Sequence, residues 1–200
     1  MRHLFCLAAF IATTACAPDV MSSSGADYVA RAGITDPKIA EAAAHRPNLR
    51  FPARVGVVRL VYGQIKTPSA EERALFQQAL PSGIGEVTLL GALDAQLAGL
   101  HRYQLDQHEI RRLAARHHLD YALVIALDPG QNSAQAAFLD VATGYPYTSI
   151  ETKLPGRGKR GFWGGRLHST ARLDAATLAM SQQFAPDLTA MLKALRDHTG

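Results

Sequence analysis

The chain has 200 residues, 48% of them hydrophobic and 19% charged, with a formal net charge of +4. This is the composition of one globular domain and excludes global disorder, while the mild positive balance gives no reason by itself to expect nucleic acid as a partner. Both cysteines, Cys6 and Cys16, fall in the first sixteen residues, so the rest of the chain has no disulfide, thiolate metal site or cysteine nucleophile.

The first fifteen residues have the order of a secretory signal. Arg2 and His3 give the positive start, Leu4 to Ala12 the apolar stretch, and Thr13-Thr14-Ala15 the small residues of a cleavage point. The apolar stretch falls short of the ~20 residues a spanning helix needs. Thr13-Thr14-Ala15-Cys16 resembles the lipobox of bacterial lipoproteins, with Thr13 where Leu is usual. The resemblance implies a diacylglyceryl thioether and an N-acyl chain on Cys16, and two or three chains anchor a protein durably where one is marginal. Ala17 follows instead of Asp, which argues for the periplasmic face of the outer membrane. An ordinary signal peptide, cleaved or uncleaved, is the competing reading.

Residues 16–50 read as a lipidated cysteine and flexible tether, with Ser22-Ser23-Ser24-Gly25 and Pro18, Pro37 and Pro47 interrupting longer structure. A short helix is expected from Lys38 to Ala44, with Pro37 at its first position. Residues 51–200 then form a single α/β domain. Arg54 to Tyr62 is a β-branched run of strand length. Ser69-Ala70-Glu71-Glu72 is a capping box that opens a helix reaching about Leu80. A second strand is expected over Glu86 to Leu93, followed by an unassigned connection to Leu105. Asp106 to Glu109 repeats the capping pattern before a helical stripe of Ile110, Leu113, Ala114 and His117. Tyr121 to Leu127 is a continuous apolar run of the kind buried on both faces of a sheet, with Ala122 to Leu127 expected as a central strand.

Ser133 to Val141 and Tyr145 to Lys153, turned at Thr143-Gly144, predict an antiparallel hairpin. A closing helix carries Leu173, Thr177, Met180, Phe184, Leu188, Met191 and Leu195 at three- or four-residue steps, and Pro186 is expected to kink or split it. The predicted fold is therefore α/β, a mixed sheet of about five strands with flanking helices and a C-terminal helix.

No catalytic constellation emerges. Ser82, Ser133 and Ser169 lie outside any nucleophile elbow, His108-Glu109-Ile110-Arg111-Arg112 lacks the second His of a zincin motif, and no metal or cofactor is expected. The one segment whose chemistry exceeds the needs of folding is the Gly-rich stretch from Lys153 to Arg166. Arg157, Lys159, Arg160 and Arg166 surround Phe162 and Trp163, the only tryptophan. That pattern suits contact with anionic headgroups or wall polymers, against the competing reading of a loop tip folded back on its own domain.

The lipobox, Ser22-Ser23-Ser24 before Tyr28, Pro52-Ala53-Arg54-Val55-Gly56-Val57, and Ile110-Arg111-Arg112-Leu113-Ala114 leading into Asp120-Tyr121-Ala122-Leu123-Val124 together resemble the rhombotarget family of lipoproteins. Leu139-Asp140-Val141-Ala142-Thr143-Gly144 extends the likeness to the wider group of the curli-secretion lipoprotein and the penicillin-binding-protein activators. The resemblance implies a non-enzymatic periplasmic domain and transfers no site residue. The expected function is that of a lipid-anchored envelope protein that binds another envelope protein or the cell wall, with no nucleic-acid partner. The alternatives are an oligomeric structural or secretion component, and an envelope hydrolase with an unrecognised site.

Overall fold

In the computed structural model, residues 19–22, 37–38, 41, 47–100, 107–155 and 170–197 are described. Their elements are β1 (Asp19–Ser22), β2 (Ala53–Val61), β3 (Gln64–Ile65), α1 (Ala70–Ala79), β4 (Gly85–Leu90), α2 (Ala92–Leu97), α3 (Gln107–Arg116), β5 (Tyr121–Asp128), β6 (Ser133–Asp140), β7 (Pro146–Lys153) and α4 (Thr170–Asp197). The strands form one mixed sheet of seven, in the order β1-β7-β6-β5-β2-β3, with β4 also pairing β2. The five long strands are those the sequence predicts. Two short strands extend the sheet.

β2 is the axis of the fold. It runs parallel to β5 on one side, from Val55↔Tyr121 to Val61↔Leu127, and parallel to β4 on the other. β3 folds back on its last two residues through a two-residue turn, Tyr62-Gly63, with φ of 52° and 76°. Two successive positive φ values are the signature of a type I′ hairpin turn, and Tyr62 occupies a position that Asn usually fills. β5, β6 and β7 continue as an antiparallel meander.

Alternation along β2 divides the core in two. Val55 and Val57 face α1 and α4 together with Leu123, Ile125, Ala136, Phe138 and Ile150, meeting Phe76, Phe184, Leu188 and Met191. Val58 and Leu60 face α2 and α3, against Leu90, Ala95, Ile110, Leu113 and Ala114. Each large side chain sealed in this way contributes about 1.5–3 kcal/mol, so both helical layers are held by apolar burial.

Several expectations change. The second strand stops at Leu90, and Gly91 starts α2 in what was predicted to be strand and unassigned connection. The boundary is set by hydrogen bonds: Asp94 Oδ2 accepts from the Gly91 N–H at 2.7 Å, and Thr67 Oγ1 from the Ala92 N–H at 3.3 Å. α3 ends at Arg116, before His117. Its end is a Schellman arrangement, with Leu119 N–H donating to Ala114 O, His118 N–H to Ala115 O, and His118 at φ 55°. Pro186 does not divide α4, which runs unbroken for 28 residues. Phe184 and Leu188, both fully buried, fix the helix to the sheet on either side of the proline.

Within the stretch expected to be tether, Asp19–Ser22 pairs antiparallel with β7 as an edge strand. Pro37, Lys38 and Glu41 are helical, in the place where a short helix is expected. The Ala122–Leu127 run is not buried on both faces throughout: Ala122, Leu123, Ile125 and Leu127 are buried, while Val124 and Ala126 are half-buried. They point to the face where α2 and α3 leave the sheet partly uncovered.

Candidate functional site

Cys16 and the basic stretch that holds Arg157, Lys159, Arg160, Phe162, Trp163 and Arg166 lie outside the described residues. The points at which the chain enters and leaves that stretch are fixed. β7 ends at Lys153, the Leu154 N–H donates to Asn132 O at 2.8 Å, Leu154 is buried, and α4 takes up the chain at Thr170. The segment therefore springs from the end of the sheet that also carries the β5–β6 turn. That turn is built by Asp128, whose Oδ1 accepts from the Gly130 and Gln131 N–H groups.

An open surface with an apolar floor lies on the β5–β6–β7 sheet. Val124, Ala126, Gln135, Ala137, Ser149, Glu151 and Lys153 line a shallow depression of about 450 Å³. It exists because no described helix crosses the outward positions of β6 and β7, where Ala137 and Ser149 are small and Gln135, Glu151 and Lys153 stand around them. Its floor is apolar and its rim carries amide, hydroxyl, carboxylate and ammonium groups. That chemistry suits recognition of an extended polar surface and provides no convergent acid, base and nucleophile.

The most unusual chemistry is internal. Arg59, in the middle of β2, has only 3% of its side chain exposed and contacts the equally buried Glu72 of α1 at 2.9 Å. Arg59 Nη2 also donates to Thr177 Oγ1 at 2.7 Å, and Ser181 Oγ donates to Glu72 Oε1 at 3.0 Å, so α4 closes the network from the other side. Glu72 is also the capping-box partner of Ser69: the Glu72 N–H donates to Ser69 Oγ, and Ser69 N–H to Glu72 Oε2, both at 3.1 Å. One carboxylate thus serves helix start and core ion pair together. The sequence shows the cap, but an Arg inside an apolar strand gives no hint of its partner. Arg59 Nε is buried without a hydrogen-bond partner among the described groups. The network joins β2, α1 and α4 and is closed to substrate, which gives it an architectural role.

At the opposite end of the sheet, Phe51, Tyr121, Phe138, Tyr145 and Tyr147 pack mostly edge to face, with Tyr121 and Phe138 centroids 5.3 Å apart and Tyr121 and Tyr147 5.7 Å apart. The Arg50 N–H donates to the Tyr121 hydroxyl at 3.1 Å. Burial, then the nearby Asp140 carboxylate, holds the Tyr147 hydroxyl far above the ordinary tyrosine range. Asp120 is the reverse case. The Arg54 backbone N–H, then its guanidinium, hydrogen-bond to the carboxylate and lower its pKa. Beside it, Arg111 of α3 donates from Nε to Val141 O at 2.9 Å and from Nη2 to Ala142 O at 2.5 Å. These contacts tie α3 to the β6–β7 turn.

The described histidines, His108, His117 and His118, do not converge on a metal site. His117 Nε2 lies 3.7 Å from Asp94 Oδ1 at the surface, and among the described residues no three His, Cys, Asp or Glu side chains gather as a metal site. Ser82 takes part through its backbone carbonyl, which accepts from Arg196 Nη1 at 3.4 Å. No described helix is long and apolar enough to cross a membrane.

No family model and no curated protein matches the chain. Among solved structures it is similar to the PelC dodecamer from Paraburkholderia phytofirmans, with 17% identity, 72% of this chain and 91% of that chain covered, and a TM-score of 0.36. It is also similar to lipoprotein GNA1162 from Neisseria meningitidis, with 19% identity, coverage of 67% and 97%, and a TM-score of 0.34. At this level of likeness neither neighbour assigns an activity to the chain.

Proposed function

We propose that this protein is a lipid-anchored accessory protein of the bacterial envelope, attached through Cys16 and acting by binding another envelope protein or the cell wall. One observation carries the reading: a positive start, an apolar stretch and three small residues lead directly to Cys16, the only cysteine of the chain beyond the apolar stretch. The domain behind it supports a binding role. The Arg59–Glu72 network, buried among the described residues, is an internal brace, while the β5–β6–β7 face is a shallow open surface with a polar rim.

The test is replacement of the attachment residue. The native chain should incorporate radiolabelled palmitate and sediment with membranes, and Cys16→Ala should do neither. Continued labelling and sedimentation of Cys16→Ala would overturn the anchor. Crosslinking in intact cells then identifies what the domain holds, and turnover of an envelope polymer by the purified domain would replace the binding role with a hydrolytic one.

A further inference from the structure

Cys16 and the strand that follows it constrain how the domain stands on a membrane. β1 is antiparallel to β7, and its first residue, Asp19, lies opposite Glu151, two positions before β7 ends at Lys153. Only Ala17 and Pro18 separate Asp19 from Cys16. An extended chain spans at most about 3.5 Å per residue, so the three-residue step from Asp19 back to Cys16 can reach no farther than about 11 Å. The same end of the sheet carries the Tyr62-Gly63 turn of the β2–β3 hairpin and the Asp128–Ser133 turn of the β5–β6 hairpin, because β2 and β5 run parallel to β7 in direction. A free linker reaching from Cys16 to Arg50 would permit a stand-off of roughly 120 Å by the same measure.

We infer that β1 is an orienting clasp: by adding to the β7 edge it holds the Tyr62 and Asp128–Ser133 end of the sheet against the bilayer that carries the lipid on Cys16. The partner of this end is a lipid surface. Tyr62 is 46% exposed there, an aromatic ring with a polar tip of the kind that sits well at headgroup level. Acidic Asp128 and Glu151 stand beside basic Lys153 at this end, so the orientation is set by the covalent reach of the chain and the strand pairing, not by net charge. The clasp also covers what would otherwise be an open edge strand. It leaves the β5–β6–β7 face standing roughly upright from the bilayer, reachable from the side. This inference rests on the lipid anchor proposed above.

The test uses the full lipidated protein inserted into preformed vesicles of phosphatidylethanolamine and phosphatidylglycerol that carry headgroup-linked energy-transfer acceptors. A donor is attached either at Gln131→Cys, in the β5–β6 turn, or at Ala142→Cys, in the β6–β7 turn. Both sites are exposed, and they are about 26 Å apart along eight residues of strand. Transfer should be markedly stronger from position 131. In an antiparallel pair alternate residues donate toward the partner, so Val20→Pro with Met21→Pro removes a donor whichever of the two faces β7. That double variant should still sediment with the vesicles and lose the difference between the two donors. Sedimentation of the native sequence with equal transfer from both ends would overturn the clasp and leave the anchor intact, as would a proline variant that keeps the full difference. Protein that stays in solution, or a donor dye that reacts at Cys16, would overturn the anchor and the clasp with it.

Discussion

Arg59 and Glu72 meet at 2.9 Å with both side chains all but closed to solvent, and their contact joins the central strand to the first turn of α1. Two charges removed from water cost several kcal/mol each, and their mutual attraction offsets this only where other hydrogen bonds complete the shell. Thr177 and Ser181 complete much of it here. Arg59→Met strands the carboxylate and should destabilise the fold by about 3–5 kcal/mol. Combining it with Glu72→Leu should recover most of that loss, apart from about 1 kcal/mol for the helix cap. Chemical denaturation of the two single variants and the double variant measures the coupling, and simple additivity would show that the pair is not a unit.

Two neighbouring positions on β5 should differ sharply in how much the same change costs. Ile125 is fully buried under α1 and α4, whereas Val124 lies on the partly open face. An unpaired carboxylate in a dry core costs several kcal/mol, a large share of the ~5–15 kcal/mol that holds a domain together. Ile125→Asp should prevent folding, and Val124→Asp should yield folded protein with reduced stability. Circular dichroism and thermal melts of the two variants decide it.

Tyr147 gives the fold a dependence on alkaline pH. Burial first, and the Asp140 carboxylate second, raise its folded pKa far above the value of about 10 that it has in the unfolded chain. Above about pH 10 the unfolded chain releases this proton while the folded protein keeps it, so unfolding is coupled to proton release and stability falls as pH rises. Below pH 10 the contribution is complete. Tyr147→Phe should flatten the decline seen in denaturation midpoints between neutral pH and about pH 11. An unchanged slope would place the responsible group elsewhere.

The basic stretch can be read through its own tryptophan. Each cation close to an anionic membrane adds roughly 1 kcal/mol. For the domain made without Cys16, Trp163 emission should move to shorter wavelength on adding anionic vesicles and return in high salt. Arg157→Ser, Lys159→Ser and Arg160→Ser together should remove the response with little change in thermal stability. Emission already blue-shifted in buffer and indifferent to vesicles would mean that the ring packs on its own domain.

The order of long strands, the Ser69–Glu72 cap and the β6–β7 hairpin are legible in the sequence because each rests on local signals: β-branched runs, a four-residue capping pattern and a Thr-Gly turn. What escapes depends on partners distant in the chain. β1 is four residues of unremarkable composition, and only the edge of β7 makes them a strand. Arg59 gains its meaning from residues on α1 and α4. The apolar positions of Val87 to Leu90 run on to Leu93 with just Gly91 and Ala92 between, so the switch from strand to helix is set by the Asp94 and Thr67 hydrogen bonds and not by hydrophobic pattern. The half-buried state of Val124 and Ala126 likewise follows from where α2 and α3 stop, which periodicity on β5 alone does not encode.

The parallel pairing of β2 with β5 spans a long stretch of chain, with Arg54 and Asp120 in contact across 66 residues. During synthesis β2 emerges early and waits for that partner, because β3 and β4 cover only one of its sides. A fragment ending before Tyr121 therefore displays an unpaired edge of the β-branched run Val55, Val57, Val58 and Val61, a template for association between chains. Closure of such a non-local pair is slow relative to helix and hairpin formation. C-terminal truncations should accordingly collect as insoluble aggregate, and a chain handed to an export machinery would remain threadable until its second half arrives.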